Sequence, residues 1–529
     1  MKNTNSVCDV VIIGGGHNGL VAANYLADAK LDVIVVEANP AVGGMTATSA
    51  SLAAAPHHLF SHYSVDAFFW DSFPPSWELE LDKYGLQRTS IDPGHVYLHP
   101  EGGSIGFGSN VQHTVDDIRR FSEKDARAYV KFANTLDRFS SILLRLSRSN
   151  PTRIDWKALL EVGKHAYAGR SQLAEMASFL FSSITDIVGD RFEHQVVRDA
   201  LHAVSGSTTA NNHSATGMGF LWMSTTHRYP CQRPIGGVQA IPDALARRLA
   251  AKGGKVLTGN PVTEIQLKSG RATGVVMKDG TAISARKAVL GCCDPKTTLQ
   301  KLLPAGTLSP LMEARVDNIP VNNMGYGQMK VDIAFSGRLK MSRHEKWRGD
   351  GLDLRKPSHV IGTEKGMERL FTYCAAGLVP CEGDYSLWPV IPTAMDQSQA
   401  PDGQDTIYLY SAFVPYQPQE GWDAVKDKIA QGIVNTAAIY YEGIEELEIA
   451  RQVLNNDDIA AQVHATGGNI THVDMVFGRM GPQRPARGLG GYKTPVDGLF
   501  IGGAGSHPGG GITGMPGYMS AKEIIRSVK

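Results

Sequence analysis

The spacing of three glycines near the start of the chain is the feature that most constrains its fold. Gly14, Gly16 and Gly19 form a G-x-G-x-x-G pattern directly after an apolar run at residues 10–13, and a second apolar run further along ends at Glu37. This order predicts a strand, a tight glycine turn, a helix and a second strand followed by a carboxylate. Such a β-α-β unit is suited to holding a dinucleotide.

Each glycine of the pattern has its own physical reason. Gly14 permits the tight turn, Gly16 leaves room for a pyrophosphate to approach the backbone, and Gly19 lets the helix pack closely on the strand. The helix N-terminus points free N–H groups at the phosphates. Glu37 is placed to accept hydrogen bonds from the adenosine ribose and would repel a 2′-phosphate, so NADP is not expected. The alternative is a glycine turn that serves packing alone.

Two further glycine segments favour FAD over NAD. Gly43 and Gly44 follow Glu37 after a short polar stretch and allow the backbone to approach the ribityl side of a longer cofactor. Near the other end, an apolar run at 499–501 precedes a glycine-rich loop and a helix expected from about Thr513. That helix would offer a second N-terminus to an anionic group and would favour a reduced flavin.

Together these segments resemble the FAD-dependent amine oxidase and phytoene desaturase superfamily. The likeness is greater to its phytoene desaturase and carotenoid isomerase branch, with the pyridine nucleotide-disulfide oxidoreductase domain-containing relatives. It is carried by residues 14–44, 233–237 and 503–514, and weakly by 121–126 and 483–485. The resemblance implies an α/β fold, in which a Rossmann-like FAD-binding domain of the glutathione reductase type has an inserted, mixed α+β substrate or cap domain.

The order of predicted elements and the resemblance divide the chain into five segments. The FAD-binding domain is expected at 1–70, 226–298 and 456–529, and the substrate or cap domain at 71–225 and 299–455. In the first cap segment, apolar residues between 173 and 187 fall on one helical face. That face could touch a membrane, but packing inside the cap is favoured because Lys and Arg do not cluster opposite it.

The resemblance and the glycine motifs also give a set of residues expected to contact FAD. These are Gly14, Gly16, His17, Asn18, Gly19, Glu37, Ala38, Gly43, Gly44, Met45, Thr46, Val262, Gly503, Ala504, Gly505, His507, Gly511, Ile512 and Thr513. In the resembled family a backbone amide near the position of Val262 contacts the adenine ring. The later Arg484 has two equal interpretations, a contact to cofactor or substrate and an anchor for its loop.

Three residues are candidates for catalysis. The resemblance implies that Lys330, on an alternating strand at 329–335, holds a water against flavin N5; the alternative is an ordinary solvent-facing lysine. In the same family the segment with His62 and Tyr63 passes near the flavin. No metal is expected there, since no Asp, Glu or Cys cluster surrounds the histidines.

The six cysteines, Cys8, Cys231, Cys292, Cys293, Cys374 and Cys381, contain no C-x-x-C pair, so disulfide reductase chemistry is not expected. The adjacent Cys292 and Cys293 end an apolar run and are interpreted as buried strand. In the resembled amine oxidases covalent flavin is sometimes held by a cysteine near the C-terminus, and no cysteine follows Cys381, whereas attachment through histidine stays open.

Charge and hydropathy exclude several classes of partner. The 529 residues contain 52 basic and 52 acidic side chains, which does not favour nucleic acid. No apolar run reaches the roughly 18 residues of a membrane span. The scattered cysteines are typical of a reduced compartment, and a cytoplasmic protein, at most peripheral to a membrane, is expected. The oligomeric state is open.

Three functions are compatible with these observations. The first is an FAD-dependent oxidoreductase that takes a hydride from a small, apolar or moderately polar molecule onto flavin N5 and passes electrons to O₂ or a quinone-type acceptor. No second dinucleotide motif of the same quality is present, which favours oxidation of the substrate. The second is a non-redox isomerase of a polyene. The third is a binding or chaperone protein of the same fold without catalysis.

Overall fold

The computed structural model describes residues 6–153, 156–206, 209–213 and 215–528. The strands are β1 Ser6–Ile13, β2 Val33–Val36, β3 Thr48–Ser49, β4 Phe60–Ser61, β5 Arg88–Ile91, β6 His95–Leu98, β7 Ser104–Phe107, β8 Cys231–Pro234, β9 Lys255–Leu257, β10 Val262–Lys268, β11 Arg271–Met277, β12 Ala282–Gly291, β13 Tyr326–Phe335, β14 Ser358–Val360, β15 Trp388–Val390, β16 Thr406–Pro415, β17 Glu448–Asn455 and β18 Leu499–Ile501. The helices are α1 His17–Asp28, α2 Pro75–Glu78, α3 Val111–Arg119, α4 Glu123–Ser147, α5 Trp156–Ala168, α6 Leu173–Phe181, α7 Ile184–Gly189, α8 Gln195–Ser205, α9 Phe220–Thr226, α10 Ala240–Ala251, α11 Pro310–Asp317, α12 Ser342–Arg348, α13 Glu364–Ala375, α14 Trp422–Ala438, α15 Asn456–Val463 and α16 Met515–Val528.

A parallel sheet joins three distant parts of the chain. Its strands lie in the order β18-β12-β1-β2-β9, and all neighbouring pairs are parallel. One edge of β12 has two partners. Its first half pairs with β11 of the antiparallel β10-β11 hairpin, and its last three residues pair with β18. The predicted α/β fold with a Rossmann-like FAD-binding domain is confirmed.

The apolar runs form this sheet because both of its faces are covered. Val10, Ile12 and Leu290 are fully buried in one cluster with Leu26 of α1 and Ile524 of α16. The opposite face of the sheet packs against α11 and the loops that follow β12 and precede β18. Continuous apolar runs are typical of parallel strands buried on both sides.

A second region is built around an antiparallel sheet in the order β15-β16-β13-β17. Its core includes residues from β13, β16, α13 and α14. A three-stranded sheet, β14-β6-β7, packs with α3, α4 and α8 in an adjoining core. The five segment limits expected from the sequence stay a prediction.

In the cap, α4 follows the N-cap residue Ser122, whose side chain accepts a hydrogen bond from the Asp125 amide at 3.1 Å, and the helix extends to Ser147. The helical face predicted in this segment differs from the structure in its bounds. The apolar face at 173–187 is split into α6 and α7 because Ser183 starts a new helix with a capping box. Its residues Met176, Phe179, Ile184 and Ile187 are buried within the cap, whereas Leu173 and Phe181 are exposed.

The close packing of α1 on β1 depends on Gly19. A Cβ atom at Gly19 would lie 2.1 Å from the Gly14 carbonyl oxygen, which is backbone and has no freedom to move aside. Gly163, in α5, has no heavy atom within 4 Å of a built Cβ.

We expect Gly19→Ala to lower the free energy of unfolding by about 3 kcal/mol because it overpacks a rigid contact. Gly163→Ala is the matched control and should raise the free energy of unfolding by about 0.5–1 kcal/mol, since alanine is the better helix former. Denaturant unfolding followed by circular dichroism measures both. Equal stabilities of the two variants would contradict the packing argument.

Candidate functional site

A cavity of about 810 Å³ lies where the parallel sheet meets the antiparallel sheet of the cap. Ile13 and Val36, the last residues of β1 and β2, line it, as does Ala504, which follows β18. Tyr408 of the cap strand β16 lines the other side. The cavity therefore occupies the carboxyl edge of a parallel sheet, where ligands bind in open α/β folds. The exposed His213 and Phe477 line it where it reaches the surface.

The glycine turn presents bare backbone to this cavity. Gly14 has a φ of +105°, which an L-residue rarely adopts. A Cβ at Gly16 would find no atom nearer than the Gly43 carbonyl oxygen, at 3.8 Å, so the space in front of this glycine is open. Room at Gly16 and a tight turn at Gly14 match the requirements for a pyrophosphate at the start of α1.

Glu37 holds this turn in shape. Its Oε2 accepts a hydrogen bond from the Gly15 amide at 2.7 Å, and its Oε1 accepts one from the Asn39 amide at 2.8 Å. A carboxylate has about four lone-pair sites, so two remain for a ligand. Ala38, which follows Glu37, and Val262, the first residue of β10, also line the cavity. The arrangement can accept hydrogen bonds from ribose hydroxyls.

His17 and Asn18, in the first turn of α1, line the cavity with buried side chains. His17 Nδ1 lies 2.9 Å from Thr46 Oγ1 and its ring also bonds to the Gly511 backbone, whereas Asn18 Oδ1 is buried without a hydrogen-bond partner. Burial lowers the pKa of His17 to about 4, so its ring is neutral at neutral pH. Leaving buried polar atoms unsatisfied is costly, and a bound ligand would remove that cost. The residues present therefore fit a dinucleotide cofactor.

The C-terminal glycine segment contributes both lining and support. Ala504, Gly511 and Ile512 line the cavity. Gly503 and Gly505 pack instead against the loop after β12. A Cβ on Gly503 would lie 2.5 Å from the Cys292 carbonyl oxygen, and a Cβ on Gly505 would lie 2.6 Å from Pro295 Cδ.

Two more predicted residues of this segment also lie behind the lining. Thr513 Oγ1 accepts a hydrogen bond from the Met515 amide at 3.1 Å at the start of α16, which begins two residues after its predicted start. His507 Nε2 lies 3.3 Å from the Leu146 carbonyl oxygen of the cap, and burial lowers the pKa of His507 to about 4.

The structure does not bring Lys330 to the cavity. Lys330 shares a sheet face with Tyr408 and Tyr410, which do line it. However, its Nζ forms a buried ion pair with Asp332 Oδ2 at 2.6 Å and donates a hydrogen bond to the Ser61 carbonyl. Burial lowers the pKa of Lys330 and raises the pKa of Asp332. The role at flavin N5 stays a prediction that this geometry does not support.

His62 and Tyr63 differ in their access to the cavity. Tyr63 lines it, and its hydroxyl donates a hydrogen bond to Gln462 Oε1 at 2.5 Å. Burial raises the pKa of this hydroxyl above its usual value. His62 lies outside the lining with its Nε2 2.8 Å from Ser49 Oγ, and burial lowers its pKa to about 4.

Most of the predicted cofactor residues are brought together around this one cavity. The predicted residues that line it are Gly14, Gly16, His17, Asn18, Gly19, Glu37, Ala38, Gly43, Gly44, Met45, Thr46, Tyr63, Val262, Ala504, Gly511 and Ile512. The predicted residues outside the lining are Lys330, His62, Gly503, Gly505, His507 and Thr513.

An aromatic wall, of which the sequence predicted Tyr63 alone, forms one side of the cavity. It comprises Tyr63, Phe68, Trp222, Trp388, Tyr408 and Tyr410. Trp388 and Tyr410 are direct partners in adjacent strands, and the Tyr408 and Tyr410 rings stack at 6.1 Å between centroids. Phe69, next to Phe68, meets Gly511, whose Cβ position lies 3.0 Å from the Phe69 ring. The wall therefore adjoins the C-terminal cofactor segment.

His472 is a second lining residue that was missed. Its backbone has a φ of +63°, which is uncommon for a residue with a side chain, and its Nδ1 is buried without a hydrogen-bond partner. Burial lowers the pKa of its ring, opposed by the nearby Asp294. The sequence signal that could have found it is a histidine in an Asn- and Gly-containing loop just before the Arg484 segment.

Arg484 acts as the anchor of that loop. Its guanidinium is fully buried and donates hydrogen bonds to the carbonyl oxygens of Thr471, Val473, Asp474 and Ala504. Burial lowers its pKa to about 10. The contact to Ala504 fastens the His472 loop to the C-terminal cofactor segment, which favours the anchoring interpretation.

The interpretation of Cys292 and Cys293 as strand residues is wrong. β12 ends at Gly291, and both cysteines lie in the loop beyond it, where they line the cavity with free thiols. Burial raises the pKa of Cys293 to about 12 and that of Cys292 well above its usual value, so neither is a thiolate at neutral pH. Within the described ranges no group of three or more His, Cys, Asp or Glu side chains could hold a metal ion.

The comparisons with known proteins agree with this site. The model of the family "Flavin containing amine oxidoreductase" matches residues 19–358. The chain belongs to the flavin-containing amine oxidoreductase family. It is 27% identical to the mouse pyridine nucleotide-disulfide oxidoreductase domain-containing protein 2, over 98% of this chain and 94% of that protein. The expected likeness to phytoene desaturases is confirmed.

Two further matches represent dehydrogenases and solved oxidases. A component of the limonene dehydrogenase of Castellaniella defragrans is 24% identical, over 98% of this chain and 95% of that protein. The structure of cyclohexylamine oxidase from Brevibacterium oxydans is similar, with a TM-score of 0.59, 16% identity, and coverage of 98% of this chain and 99% of that one. Members of this family use a flavin, so the chain is an FAD-dependent oxidoreductase. No helix in the described ranges combines the length and hydropathy of a membrane span.

Glu37→Gln tests the carboxylate of the glycine turn. Glutamine has the shape of glutamate, but its side chain has one acceptor oxygen and one NH₂ group in place of two acceptor oxygens. The backbone N–H of either Gly15 or Asn39 would therefore face a donor. We expect FAD affinity to fall about tenfold or more. Fluorescence titration of apoprotein with FAD measures it, with Glu264→Gln, an exposed carboxylate of β10, as control. Unchanged affinity in Glu37→Gln would contradict this role.

His95, behind the aromatic wall, gives a prediction about pH. Its ring is buried against Phe68, Trp222 and Trp388 without a hydrogen-bond partner. Burial lowers its pKa to about 4, so the folded state binds fewer protons than the unfolded state, and stability falls as the pH drops from about 6.5 towards 4.

His95→Phe removes this titration while keeping an aromatic ring. We expect it to recover about 3 kcal/mol of the unfolding free energy that the parent protein loses between pH 7 and pH 4. Urea unfolding at both pH values measures the difference. The expectation fails if parent and variant lose the same free energy over this interval.

Proposed function

We propose that this protein oxidises a small apolar molecule by removing a hydride, and passes the electrons to O₂ or a quinone-type acceptor. When bound, the flavin supplies the hydride-accepting chemistry and the contact with the acceptor. The observation that carries the proposal is the aromatic wall, which faces the cavity opposite the glycine segments and adjoins the C-terminal cofactor segment through Phe69 and Gly511.

The charge of the cavity supports an uncharged substrate. Among the described residues that line it there is no Lys or Arg to hold an anion. Its carboxylates are Glu37, which lies at the proposed ribose position, Asp66 and Asp294. Asp66 is ion-paired with Arg233 at 2.8 Å, and Asp294 accepts hydrogen bonds from Thr297 and Thr466. A cationic amine would therefore have to compete with these partners for a carboxylate, whereas an apolar molecule gains by displacing water from the wall.

Chain residues at the other end of the cavity would hold the cofactor. We propose that Glu37 accepts hydrogen bonds from its ribose and that the start of α1 faces its pyrophosphate. The ring of His472 and the amide of Asn18 would contribute hydrogen bonds from the atoms now without partners. The aromatic wall would orient the substrate and exclude water.

Two weaker observations fit this function. A relative named for limonene dehydrogenation is compatible with an apolar, alicyclic substrate class. The six cysteines are free and fit a reducing compartment, so we propose a cytoplasmic location.

The test is anaerobic reduction of the holoenzyme, followed by loss of the visible flavin absorption band. We expect bleaching by an apolar cyclic olefin or a polyene and none by cyclohexylamine. Trp388→Ala should raise KM for the apolar substrate about tenfold by removing buried aromatic contact, with FAD content unchanged. Trp156→Ala, an exposed tryptophan of α5, is the matched control.

Three outcomes would contradict the proposal. The first is bleaching by amines alone, and the second is no bleaching across olefins, polyenes and amines. The third is isomerisation of a polyene that requires previously reduced flavin and consumes no oxidant, which would establish the isomerase alternative.

A further inference from the structure

A second, smaller cavity of about 220 Å³ lies between α4, α5 and the end of α9. Its charged and polar lining comes from Arg145 and Arg148 of α4, Glu161 and His165 of α5, and Arg228, just past α9. None of the residues that line it also lines the FAD cavity. It is therefore a separate feature of the cap.

The three arginines of this cavity differ in their hydrogen bonds. The Arg145 side chain makes no hydrogen bond or ion pair with a described residue. Arg228 is ion-paired with Asp137 at 2.7 Å and donates to Ser141, and its Nε is buried without a partner. Arg148 donates from Nε and Nη2 to the Ser72 carbonyl and has Tyr229 as a further hydrogen-bond partner. Arg145 therefore has unused N–H groups beside two other guanidinium groups.

The charges around this space are unbalanced. Three permanently charged arginines line it. Together with Lys164, which pairs with Glu161 at 3.1 Å, these described cations face two carboxylates, Glu161 and the Arg228 partner Asp137. Burial lowers the pKa of Arg148, the charges of Arg145 and Arg228 act in the same direction, and Tyr229 opposes them. An anion would relieve this repulsion. A tetrahedral oxyanion accepts several charge-assisted hydrogen bonds at once, and guanidinium groups suit phosphate oxygens best.

The helix on one side of the cavity is weakly attached to the rest of the protein. Of the residues in α5, Ala158 alone is buried. The side chains of Trp156, Leu159, Leu160 and Tyr167 are exposed, although they are large and apolar. His165 is the side chain of α5 in the lining that can donate to an anion, so a ligand held between it and the arginines of α4 would add to the few contacts that keep α5 in place.

We propose that this cavity binds a phosphate group and that the bound phosphate fixes α5 on α4. The part of the ligand that the cavity binds is the phosphate group, which belongs either to a phosphorylated small molecule or to a phospholipid headgroup. The proposal is independent of the substrate assigned to the FAD cavity.

The test uses holoenzyme with inorganic phosphate as the probe, compared with sodium chloride at equal ionic strength. Calorimetry gives the affinity, and hydrogen–deuterium exchange of residues 156–168 gives the state of α5. We expect millimolar phosphate, and not chloride, to slow exchange of these amides. Arg145→Gln should weaken binding about tenfold, since it removes a charge-assisted donor that has no structural partner.

Two further variants make the test specific. Glu161→Gln removes the opposing carboxylate and should tighten binding severalfold. Arg170→Gln makes the same change of charge as Arg145→Gln at an exposed site outside the cavity, and should bind phosphate as the parent protein does. The proposal is overturned if phosphate fails to protect 156–168, or if Arg145→Gln and Arg170→Gln behave alike.

Vesicles distinguish the two sources of phosphate. A phospholipid headgroup is supported if the protein floats with phosphatidylglycerol vesicles but not with phosphatidylcholine vesicles, and if Arg145→Gln abolishes this flotation. Binding of inorganic phosphate without vesicle flotation supports a soluble ligand. Flotation that survives Arg145→Gln, together with no binding of inorganic phosphate, overturns the site.

Discussion

The pairing of β12 with β1 on one side and β18 on the other is the constraint on which the rest of the structure depends. Val289 of β12 is the partner of Val11 and also of Leu499, so residues nearly five hundred positions apart become next-but-one neighbours in one sheet. The glycine turn after β1 and the glycine loop after β18 thereby open onto the same edge. Without this sheet, neither segment could reach the cavity that both now line.

A buried polar network fastens the cap to this edge. Arg233, in the second FAD-binding segment, donates to Asp66 and Ser358, and Ser358 also donates to Asp66. Within the third FAD-binding segment, Arg484 joins the His472 loop to Ala504. Buried ion pairs contribute little net stability, but removing one partner leaves an uncompensated charge, so such pairs fix a single arrangement of the parts they join.

The sequence predicts the parts of the site that local rules determine. Gly14, Gly16 and Gly19 specify the turn between β1 and α1 by their spacing, and the apolar runs at 10–13 and 499–501 lie in β1 and β18. The aromatic wall could not be predicted, because Phe68, Trp222, Trp388 and Tyr408 are far apart and meet through tertiary packing alone. For Lys330 the alternation of residues along β13 predicts the correct sheet face. It does not reveal that Asp332, on the same face, forms an ion pair with the lysine ammonium group. His472 was missed because local bonds to Asn469 shape its loop only in part, and the buried Arg484, which holds the Thr471 and Val473 carbonyls, is a tertiary contact that the sequence does not show.

The late position of β18 in the chain has a consequence for biosynthesis. β1 and its glycine turn are translated long before β18 and α16, which complete the sheet. Contacts between such distant segments close large loops and form slowly. A nascent polypeptide would therefore expose the uncovered edge of β12 until β18 has been made, and the cavity would be complete only after that point. Premature stop codons anywhere before residue 499 would leave products that lack this strand and become substrates for chaperones and proteases.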